Sequence, residues 1–216
     1  MFEQEFMPFI TYAIIGITVI VSLIALSSHK VMNDLIFYGP AISDGQWYRF
    51  FTSGLIHADY FHLVFNMYAL YGFGTYVEYR FTEIFPGFGQ LMYVLLYVGG
   101  LLASDLPSYN RHRHNTQYRS LGASGAVSAV IFAAIILAPT IPIRVFLLPQ
   151  LPGFIFGLLY LLLTSYLDRK GGGRINHSAH LWGALFGIAF VIVGGVAAGE
   201  PVVSDFIYQV RHWADR

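Results

Sequence analysis

Cysteine is absent from the chain, which excludes disulfides and thiolate chemistry and leaves the redox compartment undetermined. Charge is the second scarcity. Asp, Glu, Lys and Arg make up 11% of the residues, under half the roughly 25% of a soluble domain, too little to cover a water-facing surface. The charge present is balanced, with 12 basic and 12 acidic residues, so nothing points to a nucleic-acid partner or an acidic substrate. Apolar residues take up the difference, at 56% and a mean hydropathy of +0.59. Aromatics reach 17% and suit interfacial belts. The chain reads as an integral membrane protein. Its acidic start, Met1-Phe2-Glu3-Gln4-Glu5-Phe6, lacks the basic region of a signal peptide, and the apolar segment that follows is too long for one. That segment is therefore expected to stay in the mature protein.

Stretches free of Asp, Glu, Lys and Arg run 6–29, 60–77, 84–104, 120–143, 145–167 and 175–199, and about 20 apolar residues span a bilayer as a helix. They predict six transmembrane helices, over 7–28, 57–77, 86–105, 122–139, 150–167 and 177–197, forming one all-α polytopic membrane domain over 1–216. A seventh candidate is broken by Asp44 and Arg49, with Gly39 and Pro40 as further stops. Its Trp47, Tyr48, Phe50 and Phe51 fit a loop at the membrane surface. Pro139, Pro142, Pro149 and Pro152 confine the fourth-to-fifth join to a connector. The loops after spans one, three and five carry Lys30, Arg49, Arg111, Arg113, Arg119, Arg169, Lys170 and Arg174, against Arg80, Arg144, Arg211 and Arg216 on the other side. Lys/Arg bias alone places the richer side in the cytoplasm.

Four polar groups stand inside spans near one end: His62, Asn66, Ser124 and His180. Each has an ordinary explanation. A membrane serine usually bonds back to its own helix, and the His62/Asn66 pair, four apart on one face, can be interhelical glue. An ionisable His180 is a functional candidate by default, and all four at one depth suggest a single wet cavity. Gly125, Ala129 and Ala133 form a small stripe, while Gly183 and Gly187 share the face of His180. Small faces let helix backbones approach closely, which predicts His180 within hydrogen-bond reach of Ser124. A serine hydroxyl needs a base, and neutral imidazole is the usual one. At a helix start Ser124 also offers free N–H groups and the positive end of the dipole to an oxyanion, and His62 and Asn66 can add donors. Together these point to acyl transfer. No carboxylate lies in a span near His180, so a dyad is expected rather than a triad. Gly122-Ala123-Ser124-Gly125-Ala126 fails the G-x-S-x-G elbow, and without alternating strands an α/β-hydrolase is excluded.

At these residues the chain resembles the rhomboid intramembrane serine proteases. Gly122-Ala123-Ser124-Gly125 is similar to the family's G-x-S-G. Ala179-His180-Leu181-Trp182-Gly183, continued by Gly187, is similar to A-H-x-x-G. His62-Leu63-Val64-Phe65-Asn66 resembles H-x-x-x-N, with His57 five residues ahead. Trp47-Tyr48-Arg49 resembles the W-R signature with one residue inserted, and Glu78 matches an acidic residue closing the second helix. The resemblance runs in order over 46–187. It implies a six-helix rhomboid-like bundle, a Ser124–His180 dyad, and an oxyanion site of His62, Asn66 and the Ser124 backbone amide. It implies a serine endopeptidase without cofactor or metal, cutting in or beside transmembrane segments of other membrane proteins within the lipid bilayer. Arg49 and Glu78 are implied as structural supports. Where the family often places an aromatic beneath the catalytic histidine, four after the nucleophile, this chain has Ser128, leaving His180 to helix packing or a hydrogen bond. Bacterial relatives open the site outwards, which implies the bacterial cytoplasmic membrane with an extracytoplasmic site. Three of the opposing charges, Arg111, Arg113 and Arg119, sit in one insertion, 108–119.

The alternative reading is an inactive rhomboid-like scaffold that holds membrane clients. A transporter or channel needs polar residues at both depths, whereas these cluster at one end. Arg111-His112-Arg113-His114 reads as a solvated loop rather than a metal site, since further ligands are missing. Gly171-Gly172-Gly173 reads as a flexible turn, with no Lys-Ser/Thr pair after it. His177 lies near the site without an assigned role. Residues 205–216 are expected to form a short interfacial helix.

Overall fold

The computed structural model describes residues 6–144, 149–171 and 176–215. The acidic start through Glu5, together with Gly172, Gly173, Arg174 and Arg216, lies outside them. The fold is all-α, a polytopic membrane bundle. Helix α1 (Phe9–Ser27) is apolar along its length. Its opening N–H groups have no intrahelical partners, and a carboxylate from elsewhere in the chain meets them. Ile10 N–H and Thr11 N–H donate to the two oxygens of Glu78 at 2.9 and 2.8 Å, and the Thr11 hydroxyl donates at 2.7 Å. An anion at a helix N-terminus is favoured by the dipole, which is why fully buried Glu78 is tolerated in an apolar bundle.

The connection after α1 folds into α2 (His29–Leu35), α3 (Gly39–Ser43), α4 (Arg49–Thr52) and a 3-10 turn, Ser53–Leu55. Arg49 pins it, donating from Nη1 to the carbonyls of Asn33 and Ile36 at 2.8 and 2.7 Å and from Nε to Gln46 at 2.6 Å. The second long helical segment is α5 (Tyr60–Ala69), a π-helical stretch (Leu70–Gly74) and α6 (Thr75–Ile84). It runs past the expected end at 77, since Glu78 is neutralised by α1 instead of stopping the helix.

Helix α7 (Gly89–His112) also outruns its expected end, at 105. Asp105 is buried and receives the Ser53 hydroxyl at 3.2 Å, so this charge lies inside the helix rather than at its boundary. Helix α8 (Ser124–Leu137) is the centre, with every residue from Gly125 to Val130 buried. Its 14 residues measure about 21 Å at ~1.5 Å per residue, short of a hydrocarbon core of about 30 Å. The proline-rich connector pairs Pro142–Ile143 with Leu151–Pro152 as a two-stranded antiparallel ribbon. Helices α9 (Gly153–Lys170), α10 (His177–Ala198) and α11 (Val202–Arg211) complete the order. By length and composition α1, α7 and α10 are each apolar enough to cross a membrane. Helix α11 begins earlier than expected because Val202 packs on Gly195 of α10.

The two small-residue faces meet. A Cβ added to Gly183 would overlap the carbonyl of Gly125, and one added to Gly187 would overlap that of Ala129. α8 and α10 are therefore in backbone contact from the first turn of α8 and the second of α10. From the other side, Ser104 of α7 fills the space a side chain at Gly125 would need.

Candidate active site

Ser124 is the first residue of α8 and His180 lies in the first turn of α10. The Gly125–Gly183 contact lies one residue beyond Ser124 and three beyond His180, so the two half-buried side chains project from facing helix ends. Among the described residues no hydrogen bond joins them.

The approach to Ser124 is held from three directions. Gly122 has φ +113°, the left-handed region that favours glycine. Its N–H donates to the Ser53 carbonyl at 2.9 Å. A Cβ there would stand 2.6 Å from Cε1 of His62, so the His62 ring lies directly against the loop that presents Ser124. The next N–H, of Ala123, points at Nε2 of His57 at 3.4 Å. His57 is fully buried and its tautomer follows from its partners. The Ser22 hydroxyl donates to the Leu55 carbonyl at 2.8 Å, leaving its oxygen to accept from His57 Nδ1 at 2.9 Å. The proton thus sits on Nδ1, and Nε2 is the acceptor.

His62 and Asn66 share a face of α5, whose start is capped by Asp59 accepting the His62 N–H at 2.7 Å. Asn66 is buried, and its Nδ2 donates to the His62 carbonyl at 2.9 Å. One of its two amide hydrogens is thereby committed to its own helix, leaving one for a substrate oxygen.

His180 is approached by two rings. Tyr160 of α9 stacks on it, with centroids 6.4 Å apart and planes 19° from parallel, and His177 lies edge-on at 6.2 Å. The Tyr160 hydroxyl is 2.8 Å from Ser128 Oγ. Asn176 ties the start of α10 in place. Its side-chain oxygen accepts the Ala179 N–H at 3.1 Å, and its Nδ2 reaches Ser108 of α7 and Ser120, both at 3.1 Å. Tyr118 joins this polar group. Burial raises its phenol pKa, against bonds to Ser108 and Ser120 that lower it.

A cavity of about 130 Å³ is lined by Arg111, His112, Asn176, His177 and Ser178 among others but not by Ser124 or His180. This cavity lies at the C-terminal end of α7 and the start of α10. The Tyr160 ring fills space next to His180. Arg111 within this lining pairs with Asp168 at 3.3 Å, and among the described residues no cluster of metal-binding side chains occurs.

Sequence reasoning missed Asn176, Tyr160 and the tautomer of His57. Asn176 carried a readable signal, an amide residue immediately before an apolar helix. Tyr160 carried none, since its contacts cross between helices far apart in sequence.

Residues 44–196 match the family model described as the Rhomboid domain. Over 169 residues the chain is 27% identical to RHOMBOID-like protein 12, mitochondrial, of Arabidopsis thaliana, covering 71% of this chain and 48% of that protein. It is 31% identical over 143 residues to the human Presenilin-associated rhomboid-like protein, mitochondrial, covering 64% and 35%. A Bacillus subtilis protein named "Putative rhomboid protease YdcA" is 24% identical over 181 residues, covering 82% and 83%. The chain thus spans about half or less of these mitochondrial relatives and most of the bacterial one.

Proposed function

The chain belongs to the rhomboid family, and on that premise we propose that it is an intramembrane serine endopeptidase acting through Ser124 and His180. The observation that carries this reading is the backbone contact of α8 with α10 at Gly125 and Gly183, immediately beside both residues. In the proposed reaction His180 takes the Ser124 proton as Oγ attacks a substrate carbonyl. The oxyanion is held by the Ser124 N–H, His62 and the remaining Asn66 N–H. His180 then protonates the leaving amine, and water releases the acyl group from Ser124 by the same steps in reverse order of partners. The substrate class is the transmembrane segment of another membrane protein, locally unwound, since a hydrogen-bonded helix hides its carbonyls from attack.

We place the site on the extracytoplasmic side of a bacterial cytoplasmic membrane. The likeness to a Bacillus subtilis protein over about four-fifths of both chains supports this over the shorter mitochondrial matches. The Lys/Arg count runs the other way, but four of its eight residues have structural partners at that end. Arg49 is bonded to carbonyls, Arg111 to Asp168 and Lys30 to Asp34, and Arg119 lies over the Tyr38 ring. Structural duty accounts for their presence independently of topology.

The missing Ser124–His180 hydrogen bond favours a second reading, a scaffold that binds membrane clients without cutting them. Purified protein in detergent, offered a transmembrane substrate and a labelled fluorophosphonate, separates the two. A protease cleaves the substrate and is labelled at Ser124. Ser124→Ala abolishes both while the protein folds as before. A wild-type chain that binds the substrate but neither cleaves nor takes the label is the scaffold.

A further inference from the structure

We propose that Tyr160, anchored by Ser128, is a positioning residue that sets the orientation of the His180 imidazole. This rests on the protease reading above. Among the described residues the His180 ring makes no hydrogen bond, so nothing polar fixes its rotation. The ring that runs near-parallel to it is that of Tyr160, 19° from parallel and well offset, with centroids 6.4 Å apart, within the range of offset stacking. A ring on a neighbouring helix is a useful reference only if it is itself fixed. Tyr160 is: Phe132 of α8 and Phe156 of α9 flank it at 5.4 and 5.9 Å, and its hydroxyl meets Ser128 Oγ at 2.8 Å.

Ser128 is buried and stands four residues after Ser124, one turn deeper on the same helix. The path from base to nucleophile is therefore His180, Tyr160, Ser128, then one turn of α8 to Ser124. The angle of the base is referred to the helix that carries the nucleophile, by way of a third helix. The apolar cost of a lone hydroxyl at Ser128 and another at Tyr160 is cancelled by their mutual bond. This explains why a serine stands at position 128 on an otherwise small and apolar face.

The test is a mutant cycle read in kcat and KM on a transmembrane substrate, with fluorophosphonate labelling of Ser124 alongside. Tyr160→Leu removes the ring and lowers kcat by about tenfold or more with little change in KM, as misorientation of a base does. Tyr160→Phe keeps the ring and loses only the anchor. It should recover most of the activity and match Ser128→Ala, and the double variant should be no slower than either alone, because all three cut the same bond. If Tyr160→Leu fails to fold, the comparison of Tyr160→Phe, Ser128→Ala and their double variant carries the test. A Tyr160→Leu protein with kcat within about twofold of wild type, still labelled at Ser124, overturns the positioning role and leaves the protease reading standing. So do additive losses in the double variant, which would mark two independent packing defects. A wild-type chain that neither cleaves nor takes the label overturns both.

Discussion

A hydroxyl held beside an imidazole gains reactivity only where the negative charge it creates has somewhere to go. At the residue scale the His62 ring against Gly122 is the feature with most at stake. In the proposed reaction, His62→Ala removes one preorganised donor and should lower kcat about a hundredfold to a thousandfold, near 2.7–4 kcal/mol. Steady-state cleavage by the purified variant checks this, with KM expected to change little. Asn176→Ala removes an N-cap, which typically costs about 0.5–2 kcal/mol, and also frees Ser108 and Ser120. Thermal unfolding in detergent should show the loss, and labelling of Ser124 should slow because the start of α10 is no longer fixed. The four polar residues in the spans were legible in the sequence because an isolated polar group in an apolar run is conspicuous. The contacts that hold them were not. His57, Asn176 and Tyr160 act on partners up to 68 positions away, and no local pattern encodes such pairings.

At the element scale the α8–α10 packing was legible, since glycine and alanine at four-residue spacing have few other uses in a membrane helix. It leaves no clearance. Gly183→Val should drive the helices apart, destabilise the fold by about 1–3 kcal/mol as overpacking does, and abolish fluorophosphonate labelling even where the protein still folds. Retained labelling at the wild-type rate would show that the two reactive groups do not depend on this contact. Helix lengths were less legible. Charged residues were read as boundaries, but Glu78 and Asp105 lie inside their helices. Glu78 is held by the N-terminus of α1 and Asp105 by Ser53, and neither partner is visible from the local sequence. The π-helical stretch Leu70–Gly74 contains Gly74, where a side chain would meet the Tyr93 hydroxyl and Thr11.

At the scale of the whole molecule, the six apolar stretches identified a bundle because hydrocarbon admits few alternatives to helices. Orientation is a separate matter, and the absence of cysteine makes it simple to test. Asn115→Cys and Glu200→Cys place single thiols on exposed residues beyond opposite ends of the bundle. In intact bacterial cells a membrane-impermeant maleimide should label the first and spare the second. The reverse pattern would turn the site towards the cytoplasm. The Glu78 clamp also bears on how this bundle is assembled. Thr11 precedes its acceptor by 67 residues, so a ribosome releases the first helix well before the carboxylate that will cap it exists. Until then the leading amides of α1 lack this acceptor. The clamp therefore ties the final placement of α1 to the arrival of α6.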